Sequence, residues 1–257
     1  MIKERLIGYI EQSITQNWEI EALSNYKEKG LSYKEIAGKI LKIHLFFRET
    51  GIREGDKIAL AGRNSANWCI IYLATVSYGA VIVPILPDFK PDDLANLINH
   101  SDARILFADD KIFETIDPTK IPQIQAVVSV DDFSLITAKD EIFKEIYASL
   151  EEKYRKAYPE LKKEDVKFSD ISNDKLAVIS YTGGTTGFSK GVMLSHNNLA
   201  ANVRYAQANM PLDPGDPLVS FLPLAHTYGC AFKFLFPFTY GCHITILSKT
   251  PSPQIIV

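Results

Sequence analysis

The sequence predicts an α/β fold, with mostly parallel sheets flanked by helices, because stretches with helical periodicity alternate along the chain with short β-rich apolar runs. No repeat and no low-complexity linker breaks that alternation. The composition supports it: 257 residues, 46% hydrophobic and 23% charged, supply a sizeable core and exclude a disordered, collagenous or disulfide-stapled chain.

The elements follow in order. The N-terminal segment MIKERLIGYIEQSI reads as a helix; Glu4 and Glu11 interrupt its apolar run, so it lacks a signal-peptide pattern and is read as mature sequence. Ser32 opens a second helix, with Ile36, Ile40, Ile43 and Phe47 at helical spacing and Gly51 past its end. A strand follows over Lys57 to Gly62. Asn64 to Pro87 carries no formal charge and is long enough to cross a bilayer. Its punctuation instead indicates a helix starting near Asn64, Ser65 and Asn67, a stop at Gly79, and a buried strand Val81 to Ile85 closed by Pro84 and Pro87. PDDLANLINH reads as a helix with Asp92 and Asp93 in the first turn, where they complement the helix dipole, and RILFAD as the strand after it. Ala126 to Val130 is another short buried strand. Lys139 to Lys167 reads as one amphipathic helix, with Phe143, Ile146, Tyr147, Leu150 and Tyr154 on one face. The polar stretch Lys167 to Lys175 then precedes a change of texture, where Gly, Thr, Ser and Pro crowd around short strands from Leu176 onward. The expected division is therefore 1–168 and 169–257.

Charge and cysteine usage narrow the function. Twenty-eight Lys plus Arg against 31 Asp plus Glu give a net charge of −3, with no basic excess to drive counterion release, so nucleic acid is not an expected partner. Cys69, Cys230 and Cys242 lack CxxC spacing and fit buried, reduced thiols in a cytosolic protein.

The chemistry concentrates in Leu176 to Leu199: a buried strand, a Gly/Thr loop, a second strand Val192 to Ser195, and a helix capped near Asn197 or Asn198. Without Cβ atoms, Gly183, Gly184, Gly187 and Gly191 let backbone N–H groups point into one concavity. With the hydroxyls of Thr182, Thr185 and Thr186 that concavity suits phosphate, and Lys190 supplies a mobile positive charge. A Thr-rich turn without a ligand is the bland alternative. A Walker A loop fails twice: counted from Gly184, Ser189 stands where the second Gly belongs and Gly191 where the Mg2+-binding hydroxyl belongs. The loop also joins strand to strand, so no helix N-terminus receives the phosphate.

Tyr181, Thr182, Gly184, Thr185, Thr186, Gly187, Lys190 and Gly191 closely resemble the phosphate loop YTSGTTG-x-PKG of the adenylate-forming superfamily, which includes acyl-CoA synthetases, peptide-synthetase adenylation domains and luciferases. Gly183 replaces Ser, a Gly-Gly form similar to that of long-chain fatty acyl-CoA synthetases, and Ser189 replaces Pro, removing a rigid turn. Phe221 to Gly229, FLPLAHTYG, resembles the second family motif, placed at a strand end, in which His226 would line the acyl pocket and help switch half-reactions. Taken alone, His226 is as readily a hydrogen-bonded core or cap residue.

Two further groupings carry less. His226, Cys230, Cys242 and His243 are four soft ligands, but adjacent Cys242 and His243 in a strand point to opposite faces, which argues against zinc. Phe232, Phe234, Phe236, Phe238 and Tyr240 line either a fatty-acyl tunnel or an apolar helix crossing the core. GxSxG is missing, so no Ser-His-Asp triad is legible.

The resemblance implies a partial N-terminal domain of the acyl-CoA synthetase-like fold, from a family whose members normally run to twice this length or more. It implies the substrates ATP, a fatty acid and CoA, with Mg2+ reached through phosphate and Thr185 as a ligand. Catalytic roles fall on Lys190 and His226, and ATP binding on Thr182 to Gly187 with Lys190. The adenine, ribose and Mg2+ residues and the C-terminal lysine are expected beyond Val257, and the piece alone is expected to be inactive. The expected location is the cytoplasm, with peripheral membrane contact in the longer protein; no oligomeric state is implied. The alternatives are a peptide-synthetase-type adenylation domain, an aryl-CoA ligase, or a non-catalytic nucleotide- or acyl-binding module.

Overall fold

The computed structural model describes residues 5–182 and 190–248. In chain order its elements are α1 (Leu6–Gln16), β1 (Glu21–Asn25), β2 (Leu31–Ser32), α2 (Tyr33–Glu49), β3 (Lys57–Ala61), α3 (Ala66–Tyr78), β4 (Val81–Ile85), α4 (Pro91–His100), β5 (Ala103–Ala108) and α5 (Asp110–Phe113). There follow β6 (Ala126–Ser129), β7 (Leu135–Ala138), α6 (Glu141–Ala157), β8 (Leu176–Thr182), β9 (Lys190–Ser195), α7 (His196–Asn209), β10 (Pro217–Ser220), α8 (Thr227–Cys230), a π-helical turn (Ala231–Leu235), α9 (Phe236–Tyr240) and β11 (His243–Ile246).

Local chemistry sets the helix ends. At α2 the Ser32 hydroxyl accepts the Glu35 amide while the Glu35 carboxylate accepts the Ser32 amide, at 3.2 and 2.7 Å, a capping box that satisfies two otherwise orphaned donors. Ser65 caps α3 through Trp68 N, and Gly79 ends it at φ +90°, a conformation that side chains with a Cβ resist. The apparent membrane-length stretch is thus a helix, a glycine turn and a central strand. No helix among the described residues is long and apolar enough to cross a membrane.

The larger sheet has strand order β7-β6-β5-β3-β4-β8-β9. Its five inner strands are parallel, and each edge strand is antiparallel to its neighbour. Alternate residues of β3 enter two different cores: Ile58 and Leu60 pack toward α2 and α3, Ala59 and Ala61 toward α4. Burial on both faces is why these strands read as continuous apolar runs. A smaller sheet, β10-β11-β1-β2, joins the early chain to the late chain through parallel pairing of β1 with β11. The mostly parallel α/β class expected from sequence is what is observed.

Two expectations are corrected. The single helix Lys139–Lys167 is shorter, Glu141–Ala157. Tyr158 precedes Pro159, whose ring disfavours α geometry at the residue before it; Tyr158 sits at φ −131° and the helix stops. Upstream, Leu135–Ala138 is a strand paired antiparallel to β6. The cap of α7 is Ser195, one turn ahead of Asn198, which closes its own capping box at 2.8 Å.

Candidate active site

The phosphate-loop sequence is carried by a β-hairpin. β8 and β9 pair antiparallel, with Tyr181 opposite Gly191 and Thr182 opposite Lys190. Gly183, Gly184, Thr185, Thr186 and Gly187, assigned to ATP from the sequence, lie outside the described residues, as do Phe188 and Ser189. The structure brings the flanking pair Thr182 and Lys190 together, both exposed. Because β8 runs parallel to β4, that pair stands at the carboxyl end of the parallel strands, the edge where open α/β sheets bind ligands.

The stem of the hairpin is held from behind. The Tyr181 hydroxyl lies 2.7 Å from His100 Nδ1 at the end of α4, with the rings edge to face at 5.7 Å. Burial, and to a lesser degree the Asp102 carboxylate, push the Tyr181 phenol above its usual range, so it stays protonated. Across the hairpin, a Cβ on Gly191 would lie 3.1 Å from Ile179 and 3.3 Å from the Tyr181 ring. Gly191 thus lets the β9 backbone close over those side chains. His100 was not legible as part of the site: nothing local to PDDLANLINH announces a partner on β8.

The second segment is also pinned from a distance. The segment Phe221–Gly229 starts directly at the end of β10, and His226 within it caps α8: its Nδ1 accepts the Tyr228 amide at 3.4 Å. With Nδ1 an acceptor, Nε2 of the exposed ring is the nitrogen left to donate. The carboxamide of Asn64, in the loop after β3, donates to Leu222 O at 2.8 Å and accepts from Leu224 N at 2.9 Å. One side chain therefore replaces a strand partner for the backbone leading to His226. A Cβ on Gly229 would meet the Pro223 carbonyl oxygen at 2.3 Å, so only glycine lets α8 fold back onto that loop. The sequence marked Asn64 only as a helix start. Replacing Asn64 with alanine leaves a part-buried backbone acceptor and donor unmet and is expected to lower stability by about 1 kcal/mol or more, read as the midpoint of urea unfolding.

The aromatic run resolves as a core helix. Phe234, Phe236 and Phe238 are buried; Phe234 meets Trp68 and Tyr72 at 6.4 and 5.8 Å, and Phe238 meets Tyr33 at 4.9 Å. The four soft ligands do not converge. Cys230 and Cys242 are buried thiols whose pKa burial pushes up to about 12 and about 11, while His243 Nε2 bonds Ser24 Oγ at 2.9 Å. Among the described residues no three His, Cys, Asp or Glu side chains group as a metal site.

Comparison with known proteins agrees with this geometry. Residues 10–257 match the family described as AMP-binding enzyme. The chain is 29% identical over 205 residues to the medium-chain fatty-acid–CoA ligase of Escherichia coli K12, covering 77% of this chain and 34% of that protein. It is 28% identical over 238 residues to long-chain-fatty-acid–CoA ligase 1 of Schizosaccharomyces pombe, covering 87% and 33%. The chain thus spans about a third of the length of these relatives. In fold it is similar to the long-chain-fatty-acid-CoA ligase FadD1 of Archaeoglobus fulgidus, with a TM-score of 0.78 and 22% identity over 99% of this chain and 49% of that one. ATP-bound MatB of Rhodopseudomonas palustris gives a TM-score of 0.76 at 22% identity, over 98% and 47%. A match that runs over almost the whole sequence, on the parallel sheet and hairpin just described, makes the chain a member of the AMP-binding enzyme family.

Proposed function

We propose that this chain is the N-terminal part of a long-chain fatty acid–CoA ligase that forms AMP. In the first step a fatty carboxylate attacks the α-phosphate of ATP, giving acyl-AMP and pyrophosphate; in the second the CoA thiol displaces AMP and a thioester forms. The observation that carries this reading is the hairpin that sets Thr182 and Lys190 side by side at the carboxyl edge of the parallel sheet.

In this role Thr182 to Gly187 enclose the β- and γ-phosphates, and Lys190 offsets the charge that builds on departing pyrophosphate. Mg2+, when bound, neutralises phosphate charge. The ion would be held through phosphate oxygens, with the Thr185 hydroxyl as a protein ligand. His226 stands at an exposed helix start with Nε2–H available as a donor toward the acyl group. The adenine- and ribose-binding residues belong to further segments of the ligase, and 1–257 alone is proposed to be inactive. The protein works in the cytoplasm, with peripheral membrane contact when it collects its apolar substrate.

The test is ATP–pyrophosphate exchange by the ligase that carries this chain, with acetate, octanoate, palmitate and benzoate compared. Palmitate is expected to exceed acetate and benzoate in kcat/KM by at least about tenfold, because each methylene buried in a fitted pocket contributes discrimination. Exchange driven by benzoate or an amino acid, with none for palmitate, would transfer the chain to the aryl or peptide-synthetase branch.

A further inference from the structure

We propose that the cleft between α2 and α6 is a second ligand site, separate from the hairpin, which takes an apolar monocarboxylate with its head at Lys39. The cleft has a volume of about 600 Å3, within the range of small-molecule sites. Its floor is apolar, built by Ile43, Phe46, Phe107, Val128 and Leu150. None of its lining residues belongs to β8, β9 or the segment Phe221–Gly229. Phe107 and Val128 come from β5 and β6; β5 stands three strand spacings from β8 in the sheet order, on the order of 14 Å.

Three observations mark the mouth of this cleft as more than a packing defect. Lys39 is half-buried there and forms no hydrogen bond or ion pair with any described residue; its ammonium stands 5.0 Å over the Phe133 ring. Burial lowers its pKa, the like charge of Lys42 adds to the fall, and the Glu35 carboxylate only partly opposes it. Phe133, which supplies that ring, sits at φ +63°, left-handed backbone that a bulky side chain adopts only at a cost. The strain keeps the aromatic face under the ammonium. Two phenols, Tyr147 and Tyr154, complete the polar set: both line the cleft and neither hydroxyl hydrogen-bonds a described residue. Gly38 maintains the opening, since a Cβ there would lie 2.7 Å from the Tyr154 hydroxyl and 3.4 Å from Leu161.

The neighbouring charges define the ligand. Lys42 is taken by Glu151 at 2.5 Å, and Glu35 by the Ser32 amide at 2.7 Å. Asp132 accepts the Ser134 amide at 2.8 Å, and burial, with a smaller contribution from the Asp132 carboxylate, pushes the Tyr147 phenol up to about 12. Lys34 and Lys39 are the lining cations with no ion pair to a described residue, beside three carboxylates, Glu35, Asp132 and Glu151. A single negative charge placed against the Lys39 ammonium is complemented, whereas a phosphate dianion or a nucleotide meets Glu35, Asp132 and Glu151. An apolar body on a carboxylate head satisfies floor, ammonium and phenols together.

Photoaffinity labelling of the full ligase chain with diazirine-tagged dodecanoate, mapped by peptide mass spectrometry, tests the site. Saturable labelling is expected in peptides 31–46 and 143–161. Lys39→Met is expected to weaken it at least about tenfold, the scale of a lost charge-assisted contact, without shifting the melting temperature. Tagged dodecanol is expected to label these peptides at least about tenfold less well than dodecanoate. Gly38→Val, which fills the cleft from α2 toward Tyr154 and Leu161, is expected to abolish labelling and is the second variant should Lys39→Met fold poorly. Labelling confined to residues 221–240, equal labelling by the alcohol, or unchanged labelling of Lys39→Met would each overturn the proposal.

Discussion

Lys190→Ala in the ligase is expected to slow acyl-adenylate formation by about 100- to 1,000-fold, the loss of about 2.7–4 kcal/mol seen when one preorganised donor is removed from a site of developing charge. The backbone of Lys190 is anchored by its pairing with Thr182, so its flexible stem starts from a fixed point at the sheet edge. The side chain is exposed, and in the free protein water screens its charge. Bound triphosphate displaces that water, and the same charge then acts at lower dielectric. The loss should fall mainly on kcat for pyrophosphate exchange, with melting unchanged because the Lys190 side chain is exposed. Wild-type exchange by the variant would remove Lys190 from the chemistry.

Trp68→Ala should cost about 3–5 kcal/mol, the usual toll of truncating a fully buried aromatic residue to alanine. Trp68 is fully buried, stacks on Tyr72 at 5.5 Å with 23° between planes, and presents its edge to Phe234. Its indole N–H has no hydrogen-bond partner among the described residues, so the expected loss is packing and a cavity, not a broken bond. Against a typical total of about 5–15 kcal/mol, that is a large share of the stability. At roughly 2–4 °C per kcal/mol for a chain of this size, melting should fall by about 6–20 °C in circular dichroism. The effect reaches the site because Phe234 belongs to the helical run that follows α8 and His226. A fall under about 2 °C would mean that the surroundings collapse into the space, contrary to the packing described.

Both residues stood in plain view in the sequence, but for different reasons. Lys190 was legible as chemistry because Gly and Thr crowd around it. Trp68 was legible only as one apolar position in a helix; its partner Phe234 is remote in sequence, and nothing local reports the contact. The same contrast runs through the fold. Ser32 with Glu35, Ser65 with Trp68, and Gly79 at φ +90° are interactions within a few residues, and each helix they bound was read correctly. The stop at Tyr158 was missed although Pro159 signals it, because the amphipathic pattern of Lys139–Lys167 outweighed one breaker. β7 was missed because four residues of modest burial, Leu135–Ala138, become a strand only by pairing with β6.

The sequence by itself determined the α/β class and the family resemblance carried by Tyr181 to Gly191 and by the segment around His226, since caps, glycine conformations and apolar runs act over short separations. Only the tertiary structure decided that Asn64 clamps a backbone 158 and 160 positions away. It alone set His100 behind Tyr181, and left Lys39 with no ion pair to a described residue over an apolar cleft. Those features depend on which distant groups meet once the sheet is assembled, and the energy that selects them is burial of both sheet faces, to which no single stretch of chain contributes enough to leave a local mark.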